Sequence, residues 1–207
     1  TTPPTGPVFI SLPGDILNAE AGIDLGRSTR VDTRVAPSTE ALHALTHRIL
    51  AAERPIIVVG DEIVKSDALE EAAKLAMTLG CPVYQQTVAY GAHFLSENPC
   101  FMGPLPRVQK QTSDIIGAHD LLIVLGADPV RMSVYSENAP MPEDMPIVQI
   151  GLVDGDLAKN FPVELALKAD VKETLRVLVP ALASSGGEKL ERRARSGLDK
   201  LKSINWS

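Results

Sequence analysis

The chain has 207 residues, of which 44% are hydrophobic and 22% charged, an ordinary globular composition with enough length for a sizeable core. Its formal net charge of −6 argues against non-specific nucleic-acid binding, which needs clustered Lys and Arg. No apolar run approaches the ~20 residues of a membrane span, no signal segment opens the chain, and the two cysteines, Cys81 and Cys100, suit a reduced cytoplasmic protein rather than a disulfide framework.

Residues 1–37 read as an arm. The opening Thr1-Thr-Pro-Pro-Thr-Gly6 looks like an interior stretch, and Pro7-Val-Phe-Ile-Ser-Leu-Pro13 predicts a short strand bounded by prolines. Gly14 to Pro37 shows no clear period and predicts a linker. Regular patterning starts at Ser38, a cap for a helix with Leu42, Leu45, Ile49 and Ala52 on one face. A strand follows at Ile56–Val59 and ends at Gly60. Asp67-x-x-Glu70 predicts a capping box for a helix that presents Leu69, Ala72, Ala73, Ala76 and Leu79 and stops at Gly80. A second strand is expected at Val83–Gln86, a short one near Phe101, and a helix over roughly 107–118.

The strongest strand signal is Leu121–Leu125, and a proline-rich loop then leads to Ile147–Ile150. A strand over Val163–Leu167 precedes Asp170-x-x-Glu173, a second capping box, and a helix that Pro180 is expected to kink or end. After Ser184-Ser-Gly-Gly187 the chain becomes charged, with Leu190, Leu198, Leu201 and Ile204 as a weak stripe. The expectation there is a solvated linker helix over 184–207.

Short apolar strands alternating with helices imply an α/β, doubly wound, three-layer parallel sheet over residues 38–183. Ligands of such sheets sit beyond the strand C-termini at the switch point. The residues brought there are Gly60, Asp61, Gly91, His93, Gly126, Asp128 and Arg131, a candidate nucleotide crevice. Each has a plainer explanation: a turn glycine, a loop histidine, an Asp128–Arg131 ion pair. No Gly-x-Gly-x-x-Gly occurs, and no nucleophile–base pair or metal cluster is legible. His43 and His47 have metal-ligand spacing, but they lie opposite the apolar face of their helix with no third ligand near, which suits a solvated face.

In order and spacing these segments resemble the central domain of thiamine-diphosphate-dependent enzymes of the acetolactate synthase, benzoylformate decarboxylase and pyruvate oxidase group. The residues that carry the resemblance are Gly6-Pro-Val-Phe-Ile-Ser-Leu-Pro-Gly-Asp15, Arg54-Pro-Ile-Ile-Val-Val-Gly60, Leu79-Gly-Cys-Pro-Val83, His119-Asp-Leu-Leu-Ile-Val-Leu-Gly126 and Leu157-Ala-Lys-Asn160. The resemblance implies a Rossmann-like domain that binds FAD in some members, ADP in others and nothing in many decarboxylases. It implies that residues 1–37 continue a preceding pyrimidine-binding domain, that 184–207 lead toward a C-terminal domain, and that the parent is an oligomeric lyase or transferase.

Thiamine diphosphate and Mg²⁺ would then be held by the flanking domains and a second subunit, with no catalytic residue in this segment. Asp154-Gly155-Asp156 departs from the family's Gly-Asp-Gly…Asn magnesium motif, because Val153 replaces the leading Gly and Ala181 stands where the Asn belongs. The family's Ile-Asp-x-Asp acids fall on Gly151 and Val153, so the expected ribose acceptors are missing and nucleotide binding should be weak or absent.

Overall fold

The computed structural model describes residues 6–24, 26–27, 32, 34–132 and 134–204. It divides into two compact units, Thr1–Arg34 and Val35–Ser207. In the first unit the described residues hold one short helix, α1 (Gly14–Leu17), and an Asp32–Arg34 ion pair at 2.7 Å. The strand expected at Val8–Leu12 is not formed. A strand needs a ladder partner, none pairs with it among the described residues, and Val8, Phe9 and Ile10 stand exposed.

The second unit is built on six parallel strands in the order β3-β2-β1-β4-β5-β6. They are β1 (Pro55–Val59), β2 (Val83–Gln85), β3 (Phe101–Pro104), β4 (Leu121–Leu125), β5 (Ile147–Gly151) and β6 (Leu165–Lys168). All residues of β1, β4 and β5 are buried, because both faces are covered. Alternation along each strand sorts the core into two layers. Ile57, Val59, Leu121, Ile123 and Leu125 pack under α2 (Thr39–Ala51), α4 (Leu69–Leu79) and α6 (Val171–Ile204). Ile56, Val58, Leu122 and Val124 face α5 (Gln109–Gly117) and the long β4–β5 loop, through Ile116, Val130 and Met141.

Local chemistry explains most boundaries. The Ser38 hydroxyl accepts the Ala41 N–H and caps α2. Gly80 closes α4 in the left-handed region at φ +61. The Asp120 carboxylate accepts the N–H groups of Glu53 and Arg54 at 2.8 and 2.9 Å, so the acid at the head of β4 pins the start of β1.

Three expectations need correction. Asp67 does not cap α4: it sits at φ +53 and pairs with Lys172 at 2.6 Å, because a short helix, α3 (Glu62–Lys65), occupies the residues before it. Pro180 does not end α6, whose backbone stays helical through it; it is exposed, as is Arg176, whose carbonyl loses its donor on a face open to water. The break comes at Gly187 instead (φ 48, ψ −147).

Beyond that break, residues 188–204 are not merely solvated, since Leu190, Ala194 and Leu201 are buried in the core. The docking is backbone on backbone. A Cβ on Gly197 would stand 2.0 Å from the Gly80 carbonyl oxygen, and one on Gly80 would stand 2.3 Å from that of Ala194. Asp170 caps the start of α6 by accepting the Glu173 N–H at 3.0 Å, and its own N–H donates to the Val35 carbonyl at 2.8 Å.

Candidate functional site

Strand order reverses between β1 and β4, so the crevice beyond their C-termini is the switch point. It is lined by Asp61, Glu62, Lys65, Gln86, Gly126, Asp128, Arg131, Gln149, Gly151 and Asp156, among others. Its volume is about 50 Å³, against the ~300–1,000 Å³ that small-molecule sites offer.

Glu62 is what fills it. The side chain enters from the start of α3 and is only 7% exposed. Its Oε2 accepts the Leu152 N–H at 2.7 Å, and its Oε1 accepts the Val153 N–H at 3.3 Å. Two glycines make room: a Cβ on Gly126 (φ +56) would meet the Glu62 Cβ at 2.3 Å, and one on Gly151 would meet both carboxylate oxygens at 3.2 and 3.3 Å. Burial pushes the Glu62 carboxyl above the usual range, against the pull of the two backbone donors. The family pattern expects acids at positions 151 and 153; here a carboxylate reaches the same strand end from β1.

Gln149 completes the floor. A polar residue inside a fully buried strand needs all its bonds. Its amide donates to the carbonyls of Ala127 (3.2 Å) and Asp156 (2.9 Å), and its Oε1 accepts the Ala158 N–H at 2.9 Å.

The predicted residues scatter around this plug. Asp61, Gly126, Asp128 and Arg131 line the crevice. Asp128 is buried and bonds Arg131 at 3.4 Å and Asn160 at 3.3 Å; Arg131 also reaches the Tyr90 hydroxyl at 3.4 Å. Gly60 is spent on packing, because a Cβ there would lie 2.6 Å from Ala127. Gly91 is exposed, contributes its carbonyl to Gln85 and lies off the crevice. His93 is 3% exposed and its Nε2 lies 2.8 Å from Asp61 Oδ1. Burial lowers its pKa below the ordinary value, with Asp61 pulling the other way.

No earlier signal marked Glu62 and Gln149. An acid two residues after a strand-ending glycine and a lone amide in an apolar run were the cues available.

The family model for the thiamine pyrophosphate enzyme central domain matches residues 42–178. The chain belongs to that family. This central domain is 28% identical to benzoylformate decarboxylase of Pseudomonas aeruginosa, covering 89% of this chain and 38% of that protein. It is 29% identical to the acetolactate synthase large subunit of Corynebacterium glutamicum, covering 88% and 30%. The crystal structure of benzoylformate decarboxylase from Polynucleobacter necessarius superposes with a TM-score of 0.77 at 27% identity, over 87% of this chain and 34% of that one. The central domain thus spans about a third of the length of these relatives.

The residues of the domain do not fit thiamine diphosphate or its magnesium. Asp154 and Asp156 are engaged by Lys168 at 2.6 Å and Lys159 at 3.4 Å. Among the described residues no group of three or more His, Cys, Asp or Glu side chains is placed to hold a metal. The crevice is lined by four acids, Asp61, Glu62, Asp128 and Asp156, against Lys65 and Arg131, the wrong balance for a diphosphate.

Proposed function

We propose that this chain is the architectural central domain of an oligomeric thiamine-diphosphate-dependent carboligase or 2-oxo-acid decarboxylase, working in the cytoplasm. Flanking domains and a second subunit hold the thiamine diphosphate and Mg²⁺, and the central domain spaces and orients them. It takes neither FAD nor ADP.

The observation that supports this reading is the Glu62 carboxylate seated on the Leu152 and Val153 N–H groups. In a nucleotide-binding relative of this topology the switch-point crevice must admit a ribose and phosphates. Here the space is filled from within, and the added charge is negative.

Ligand-dependent unfolding tests it. A millimolar nucleotide with a micromolar dissociation constant adds about 4 kcal/mol of stability by mass action. The expected result is a colourless protein, no shift in melting temperature with ADP or FAD, and no saturable heat with thiamine diphosphate and Mg²⁺. A yellow protein, or an ADP shift abolished by Asp128→Ala, would establish a nucleotide module instead. Micromolar thiamine diphosphate binding would overturn the architectural role.

A further inference from the structure

The loop between β2 and β3 leaves the C-terminal end of the sheet beside the crevice. Its exposed stretch, residues 89–92, is followed by two buried side chains, His93 and Phe94. Phe94 joins the core, with its ring 5.8 Å from that of Phe101. His93 is the polar half of this anchor.

The surroundings of His93 fix its proton. Its Nε2 lies 2.8 Å from Asp61 Oδ1. A bare nitrogen there would set a lone pair against a carboxylate, so Nε2 carries the hydrogen and Nδ1 is bare. The contact is close but poorly aligned, and Asp61 Oδ1 has no hydrogen-bond partner among the described residues. Nδ1 is likewise buried and without a partner. A bare acceptor in that place is tolerable. A proton on Nδ1 would make a charged donor with nothing to bond, among the costliest groups to bury.

The charged groups nearby do not relieve that cost. Asp61, where β1 meets α3, favours the charged imidazole, and Lys65, at the end of α3, opposes it. Glu62 between them is turned to Leu152 and Val153. Glu70 and Lys74 of α4 pair with each other at 3.8 Å, and Tyr90 of the same loop meets Arg131 at 3.4 Å. Cys100, at the far end of the loop, stays neutral because burial pushes its thiol up to about 12. Burial outweighs Asp61 and holds the His93 pKa below its ordinary 6.5.

We propose that His93 is a proton-operated clasp: neutral, it pins the β2–β3 loop against Asp61; protonated, it leaves its seat and releases residues 88–95, drawing Tyr90 off Arg131 and baring Asp61 at the crevice. The clasp holds fully above pH 6.5 and weakens as pH falls toward the folded-state pKa, because the released imidazole binds a proton more readily than the seated one. This device goes beyond the architectural role and does not depend on it.

Two measurements on the 207-residue chain test it. In an NMR titration the His93 ring is expected to be the Nε2–H tautomer at pH 7.5 and to titrate below 6.5. Amide hydrogen exchange, corrected for the intrinsic rate at each pH, is expected to show residues 92–95 losing up to about tenfold protection per pH unit below 6.5, while Leu121–Leu125 keep theirs. His93→Gln keeps an N–H for Asp61 but cannot become charged, and is expected to abolish that dependence. An Nδ1–H tautomer, or titration at 6.5 or above, would overturn the clasp on the unaltered chain, whether or not the variant folds. So would protection at 92–95 that is flat between pH 7.5 and 5, that falls equally at Leu121–Leu125, or that falls equally in His93→Gln.

Discussion

Replacing Glu62 separates the carboxylate's bonds from its charge. Glu62→Ala leaves the Leu152 and Val153 N–H groups without the acceptors they now have at 2.7 and 3.3 Å. An orphaned buried donor costs about 1–3 kcal/mol. The adjoining crevice admits water, which recovers part of this for Val153, so the net loss expected is about 2–4 kcal/mol. With a urea slope of about 2 kcal/mol/M, the midpoint should fall by about 1–2 M. Glu62→Gln keeps an oxygen for the Leu152 N–H and carries no charge to bury, so it should cost less.

The pH dependence gives the sharper result. Burial raises the folded-state pKa of Glu62 above its ordinary 4.5. Below pH 4.5 the group is protonated in both states and burial carries no ionic penalty. As pH rises from 4.5 through the folded-state value, the unfolded chain ionises first and the native state loses stability. Glu62→Gln lacks this titration. The stability of the native sequence minus that of Glu62→Gln, from urea curves at each pH between 4 and 7.5, should therefore fall as pH rises. A difference that grows over that range would refute the reasoning, because it would mean that the backbone donors outweigh desolvation.

Gly197→Ala should free the end of α6. The added Cβ meets an immovable backbone oxygen at 2.0 Å, and overpacking of this kind costs about 1–3 kcal/mol, more than the ~1 kcal/mol that alanine returns in helix propensity. Limited trypsin digestion should then cut at Arg192, Arg193 or Arg195 much sooner than in the unaltered chain, and equal digestion rates would contradict the docking. Deleting residues 1–34 should leave Val35–Ser207 folded with its cooperative transition intact, since the core and the Asp170–Val35 bond lie wholly within the second unit; loss of that transition on calorimetry would make the arm integral.

Much of the architecture was legible in the sequence because it rests on local and periodic signals. Runs such as Pro55–Val59 and Leu121–Leu125 announce strands buried on both faces; Ser38 and Gly80 announce helix ends. Alternation of such strands with amphipathic helices leaves few topologies, and right-handed crossovers select among them. The family resemblance rested on the same segments. Asp67 and Pro180 misled because their local rules assume an isolated helix. A preceding turn of helix and a lysine from α6 claimed Asp67, and the carbonyl that Pro180 freed lies on a helix face open to solvent.

The crevice was legible in position but not in content. Its location follows from strand order, which the pattern of elements implies. Its occupant depends on where one side chain goes after a turn: Glu62 meets the end of β5 across about 90 residues of chain, and no local rule reaches that far. The same holds for Gly80 against Gly197, whose contact requires α4 and the last helix to be placed first, and for His93 against Asp61. Propensity and periodicity act over a few residues, whereas the filling of space and the pairing of buried charge are settled only when distant segments compete for the same volume.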